Sequence, residues 1–232
     1  MSDAVTVITG ASRGIGLATA RRMAAGAGGL LLAARDETAL RAAAESVAAI
    51  GARVETAALD VGTSDGARRL ITTALARFGR VDFLVNNAGY APVAPIESMT
   101  DGDFDRVFAT NCGAVFHATR AAWPAFRAQG GGAIVNVSSV ASVDPFAGFA
   151  AYGAAKAWVN LFTKATADEG RPYRIRAYAV APGAVETAML RGGFPDFPAE
   201  QTLDPDDVAA VVESCCRGAL RHSSGQTIFV RR

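Results

Sequence analysis

Seven short apolar runs recur along the chain, and a helix-like stretch separates each from the next. The runs are "VTVI" (5–8), "LLLAA" (30–34), "RVETAAL" (53–59), "VDFLV" (81–85), "AIVNV" (133–137), "IRAYAV" (175–180) and "QTIFV" (226–230). Between them lie segments rich in Ala, Leu, Arg and Glu at 15–26, 36–50, 64–78, 103–129, 151–169 and 205–220. Continuous apolar runs suit strands covered on both faces. Strict alternation with helices predicts a parallel sheet wrapped on both sides, a doubly wound α/β fold. Half of the 232 residues are hydrophobic and 19% are charged, so one large core can be buried. No linker or repeat is visible, which predicts a single domain over 1–232. The Gly/Pro-rich segment 182–205 is the longest irregular stretch, and we expect a substrate lid at 184–204.

Several function classes lose their support early. A net charge of +1 offers no basis for a nucleic-acid partner or an acidic membrane surface. Cys112, Cys215 and Cys216 fit neither a disulfide framework nor a metal-ligand spacing. Reduced cysteines, no visible signal peptide and no apolar run of ~18 residues predict a cytoplasmic protein without a membrane span.

Some helix ends are legible. Asp36 precedes a helical stretch with Ala39, not glutamate, at the third position, so it makes half a capping box. Gly51 suits the stop. Asp204 before Pro205 pairs an N-cap with proline at the first helical position.

Gly10, Gly14 and Gly16 fall between the first strand and the first helix. A pyrophosphate needs close backbone approach and free N–H groups at a helix start, and this junction offers both. A tight turn alone would also explain the glycines. Asp60 and "NNAG" (86–89) end the third and fourth strands, where a turn role competes with ligand binding. Tyr152 and Lys156 stand four apart, on one helix face. Read singly, Ser138 and Ser139 suit a turn, and Asn111 suits a satisfied core position beside Phe104, Val107, Phe108 and Val115.

Taken together, "TGASRGIG" (9–16), "LDV" (59–61), "NNAG" (86–89), Asn111, "NVSS" (136–139), "YGAAK" (152–156) and "PGAVET" (182–187) resemble the classical short-chain dehydrogenase/reductase family. The motifs run in family order along nearly the whole chain. The resemblance implies a Rossmann fold with a seven-stranded parallel sheet, a nicotinamide cofactor and a catalytic group of Asn111, Ser139, Tyr152 and Lys156. The family serine lies 13 positions before the tyrosine, which selects Ser139 over Ser138. Implied cofactor contacts are Gly10, Ser12, Arg13, Gly14, Ile15 and Gly16 in the first loop. Asp60, Val61, Asn87, Ala88 and Gly89 follow, then Tyr152 and Lys156. Pro182, Gly183, Val185 and Thr187 complete the set, with Thr187 at the nicotinamide carboxamide. Lys156 would also reach the nicotinamide ribose, and Asn111 would support a water chain.

The chemistry is consistent with that assignment. Hydride transfer to a carbonyl builds an alkoxide that needs a proton donor. A free tyrosine, with a pKa of about 10, exchanges protons poorly near neutral pH. A neighbouring ammonium and an oxidised nicotinamide would both stabilise its phenolate. Ser139 would hold the substrate oxygen as charge develops.

Cofactor choice rests on the end of the second strand. Alignment of "LLLAARDE" with the family puts Ala34 where an NAD-selecting carboxylate would stand. Arg35 follows, and a guanidinium suits a 2′-phosphate. Arg13 is a second cation. Asp36 is the contrary signal, read here as a helix cap. The balance predicts NADP(H), with NAD(H) as the alternative.

Tyr90, Val140, Ser142, Val143, Phe146, Met189, Leu190, Phe194 and Phe197 are expected to line the pocket. Their apolar character points to an apolar or aromatic ketone, or its secondary alcohol. Aromatic residues on several faces of the helices at 103–129 and 151–169, with a kink at Pro124, fit the paired helices of family oligomers, a homodimer or homotetramer. The competing reading is a catalytically silent cofactor sensor or scaffold on the same fold. An epimerase or dehydratase would need a larger substrate domain.

Overall fold

The computed structural model describes residues 3–232. Seven parallel strands form one sheet: β1 (Val5–Thr9), β2 (Gly29–Ala34), β3 (Val54–Ala58), β4 (Phe83–Asn86), β5 (Gly132–Val137), β6 (Ile175–Pro182) and β7 (Thr227–Val230). Their order is β3-β2-β1-β4-β5-β6-β7. The chain winds outward from β1 to β3, then returns to pair β4 with the other edge of β1, Val7 opposite Leu84. That reversal creates a crevice at the carboxyl ends of β1 and β4, where ligands of open α/β sheets bind.

Alternation along the strands divides the core into two layers. Ile8, Leu30 and Leu32 pack beneath α1 (Gly14–Ala24), α2 (Glu37–Ala48) and α8 (Pro205–Arg217). Val7, Leu31 and Leu84 face α3 (Ser64–Phe78), and the same layer continues onto α5 (Ala114–Ala128) and α6 (Ala150–Gly170). The inner strands are covered on both faces, which explains their largely apolar runs, whereas the edge strands β3 and β7 are partly exposed.

Helix starts follow the expected chemistry. Asp36 accepts from Ala39 N at 3.0 Å. Asp204 accepts from Asp206 N at 2.8 Å, and Asp207 accepts from Asp204 N at 3.2 Å, giving a fuller box than the sequence suggested. Gly51 lies just past α2, with its N–H on Ala48 O.

Two elements differ from expectation. The helix at 103–129 is not one regular rod. It comprises α4 (Asp101–Phe108), a π-helical turn (Ala109–Gly113) that holds Asn111, and α5, which runs through Pro124. The lid segment is not wholly irregular either: it contains α7 (Ala188–Gly193), capped by Thr187. Its legs are tied together, with Glu186 N on Leu203 O and Leu203 N on Ala184 O.

Candidate active site

The glycine loop follows β1 at the crevice. Gly10 and Gly14 adopt φ of +63° and +55°, conformations that favour glycine. Asn87 fastens the loop: its Nδ2 donates to Thr9 O and Gly10 O, both at 3.0 Å. Thr9 Oγ1 accepts from Asn87 N and Ala88 N, also at 3.0 Å. Asn87 is thus a brace for the phosphate loop. A Cβ on Gly14 would lie 3.1 Å from Thr187 Cγ2, so the glycine loop meets the turn after β6. Gly183 in that turn donates its N–H to Val230 O at 2.9 Å.

These residues suit a dinucleotide. No side chain among the described residues caps α1, as is also true of α5 and α6, so the first-turn N–H groups of α1, which follow the glycine loop, are open to an anion. Arg13 and Arg35 are exposed and make no side-chain ion pair among the described residues. Asp36, the residue after Arg35, has its carboxylate on the α2 backbone. Asp60 Oδ1 accepts from Gly62 N at 2.8 Å in the turn after β3, and Val61 is buried beneath that turn.

The four candidate catalytic side chains come from the ends of β5, the π turn and α6. Ser138 and Ser139 diverge. Ser138 is buried and donates to Lys156 O at 3.2 Å. Ser139 Oγ accepts from Ala141 N at 3.1 Å and lies on the side of the Tyr152 phenol, where it favours the ionised form. Burial pushes Tyr152 up to about 12, and the Ser139 contact pulls in the opposite direction.

Lys156 is 3% exposed, and burial lowers its pKa to about 8. Its Nζ donates to Val137 O at 2.7 Å and lies 5.6 Å from the centre of the Tyr152 ring. An ammonium has three donors, and Val137 occupies one, leaving capacity for ribose hydroxyls.

Asn111 is fully buried in the π turn. Its Nδ2 donates to Tyr90 O at 2.7 Å and Val107 O at 2.9 Å. Its Oδ1 has no hydrogen-bond partner among the described residues. A buried acceptor left unpaired is costly, so the satisfied-core explanation covers only half the side chain.

The expected substrate residues separate into groups. Phe146, Val143 and Met189 are exposed around the mouth. Leu190 is half-buried on α7, where its N–H donates to Thr187 Oγ1. Val140 lines a cleft of about 560 Å³ with Gly183, Asp144, Glu200, Arg231 and Arg232. Ser139, Tyr152 and Lys156 do not line that cleft, whose charge comes from Asp144, Glu200 and the two arginines just past β7. Ser142 is engaged by Asn160 at 2.8 Å. Tyr90 donates its hydroxyl to Asp103 at 2.7 Å and its ring lies under Arg106, so its polar tip faces α4.

Sequence reasoning missed Phe149. Its ring meets Tyr152 edge-on at 5.3 Å and stacks with Phe194 of the lid at 5.7 Å. An aromatic three residues before the tyrosine was the available signal. It also missed a buried chain from Asn86 Nδ2 to Asn136 Oδ1 and from Asn136 Nδ2 to Thr163 Oγ1, which ties β4, β5 and α6 together.

Comparison with known proteins now assigns the class. The short chain dehydrogenase family matches residues 4–196. The chain belongs to that family of oxidoreductases, whose members bind nicotinamide nucleotides. An uncharacterized oxidoreductase of Mycobacterium tuberculosis is 34% identical, over 99% of this chain and 91% of that protein. Levodione reductase superposes with a TM-score of 0.92 at 29% identity, covering 99% of this chain and 96% of that one. NAD+-bound xylitol dehydrogenase gives 0.90 at 27% identity, covering 99% and 98%. No helix among the described residues is long and apolar enough to cross a membrane.

Proposed function

We propose that the protein is an NADP(H)-dependent carbonyl reductase or alcohol dehydrogenase acting on an apolar or aromatic ketone or its secondary alcohol. The observation that carries this reading is the convergence of Ser139 on the Tyr152 phenol, with buried Lys156 one turn along α6 and its Nζ 5.6 Å from the Tyr152 ring centre. When bound, the cofactor supplies or accepts the hydride. Ser139 holds the substrate oxygen, and Tyr152 passes its phenolic proton to that oxygen in reduction. Lys156 orients the nicotinamide ribose, while Asn111 holds its free Oδ1 toward the proton-release path. Gly10, Ser12, Gly14, Ile15, Gly16, Ala88 and Gly89 hold the phosphates and adjoining ribose. Pro182, Gly183, Val185 and Thr187 would hold the nicotinamide end of the cofactor, and Asp60 and Val61 its adenine end.

The preference for NADP(H) rests on Arg35 and Arg13 being free of ion pairs while Asp36 caps α2. A guanidinium pair binds a 2′-phosphate well. The apolar-substrate reading rests on Phe149 beside Tyr152, with Phe146 and Phe194 packed on Phe149. Segment 184–204 acts as the lid. Buried, unpaired Cys112, Cys215 and Cys216 suit a reducing cytoplasm.

The test is a panel of ketones and alcohols with NADPH and NADH, followed by nicotinamide absorbance. The expected preference for NADPH is at least ~10-fold. On an accepted substrate, Tyr152→Phe lowers turnover by about 10²-fold or more, with cofactor binding unchanged. Near-normal turnover would remove Tyr152 as proton donor, and a preference for NADH would overturn the cofactor assignment.

A further inference from the structure

Tyr90 is gripped from two sides. It follows the turn that ends β4 and packs against the small cluster of Val107, Cys112 and Ala155. Its carbonyl accepts from Asn111 Nδ2 at 2.7 Å. Its phenol donates to Asp103 Oδ1 at 2.7 Å, and the Arg106 guanidinium lies 4.0 Å from the ring centre. Asp103 is itself fixed, because its Oδ2 accepts from Thr100 Oγ1 at 2.9 Å at the start of α4. The phenol's pKa is raised, chiefly by the bond to Asp103, so it stays protonated and able to donate.

These contacts join a loop to an irregular helix. A π turn breaks the ordinary i→i−4 ladder, so its side chains depend more on outside partners for their orientation. One Nδ2 contact of Asn111 goes to its own helix, at Val107, and the other goes to the loop, at Tyr90. The direction of the unpaired Oδ1, which would lie 3.3 Å from a Cβ on Gly89, follows from both.

We propose that Tyr90 is a positioning residue for Asn111: bolted to α4 through Asp103, it holds its own carbonyl where it fixes the Asn111 side chain. This rests on the reading of Asn111 as part of the active site. A substrate-lining role for Tyr90 would use the ring, whereas this role uses the hydroxyl.

Tyr90→Phe separates the two, because it keeps the ring and deletes the donor. In cofactor-free protein, hydrogen exchange over 107–114 should rise while exchange over 5–24 stays unchanged. With NADPH and a ketone accepted by the wild type, kcat should fall about fivefold, the effect of one hydrogen bond. KM should hold, and the solvent deuterium isotope effect on kcat should rise. Asp103→Leu should reproduce these changes, and Asp103→Asn, which keeps the acceptor, should restore most of kcat. Unchanged exchange over 107–114, or a uniform rise along the chain, would overturn the clamp. So would wild-type kcat in Tyr90→Phe when Asn111→Ala is impaired. Wild-type kcat in Asn111→Ala would instead refute the active-site reading of Asn111, with the exchange data still deciding whether the clamp exists.

Discussion

The buried Lys156 illustrates how one residue links fold stability to function. Its ammonium has little solvent contact and one protein acceptor, Val137 O. Burial opposes the charge and lowers its pKa from 10.5 to about 8. Between those values the unfolded chain binds the proton and the folded chain does not, so stability rises with pH across that window. Below pH 8 the cost of the buried charge is fully present. Wild type should therefore gain stability relative to Lys156→Met between pH 7.5 and 10 in urea unfolding of cofactor-free protein. Tyr152 is present in both proteins, so its own titration largely cancels. Parallel stability curves would show that Lys156 titrates near its ordinary value. The same paired contacts explain why neighbouring serines differ. Ser138 points into the core toward α6, while Ser139 points out toward Tyr152. Alternation on a strand end predicts opposite directions, but only packing decides which one faces the crevice.

At the scale of elements, the parts legible in the sequence are those with a strong period or a fixed chemical signature. The inner strands stood out because both faces are buried, and Asp36 and Asp204 marked their helices because caps need an oxygen at one position. The π turn was hidden because apolar spacing runs through Phe104, Val107, Phe108 and Val115 without a visible break. The lid helix α7 spans only Ala188–Gly193, too short to show a period. Its anchoring was equally invisible: Arg191 pairs with Glu186 and also donates to Pro195 O and Phe197 O, folding the lid on itself. Long-range contacts of that kind carry no local spacing. Phe194, beyond α7, then stacks on Phe149, which touches Tyr152. An aromatic pair is worth about 0.5–1.5 kcal/mol beyond burial, so Phe194→Ala should raise KM for a bulky apolar ketone roughly 3–10-fold. KM for a small aliphatic ketone should change little. Equal effects on both would mean that Phe194 shapes the lid without contacting substrate.

For the whole molecule, the unresolved demand is an apolar helix face. Trp158 and Phe162 stack at 4.7 Å on α6, and Phe116 of α5 meets Phe162 edge-on at 6.1 Å. Leu161 is 71% exposed on the same side of α6, since positions three and four apart share a face. These side chains lie outside the two main core layers, so burial against the sheet cannot account for them. A second copy of the chain would cover them by a two-fold axis, because one apolar face can then meet itself. We therefore propose a homodimer or homotetramer assembled through α5 and α6. Phe162 is half-buried within its own aromatic cluster, so a charge there would disturb the subunit as well as the contact. Leu161→Glu is the cleaner test, because it places a carboxylate on the outward face and leaves the cluster intact. Sedimentation at micromolar concentration should give a dimer or larger for wild type and a shift toward monomer for Leu161→Glu, with an unchanged circular dichroism spectrum. A monomeric wild type, or an unaltered oligomer in the variant, would show that this face is not the interface.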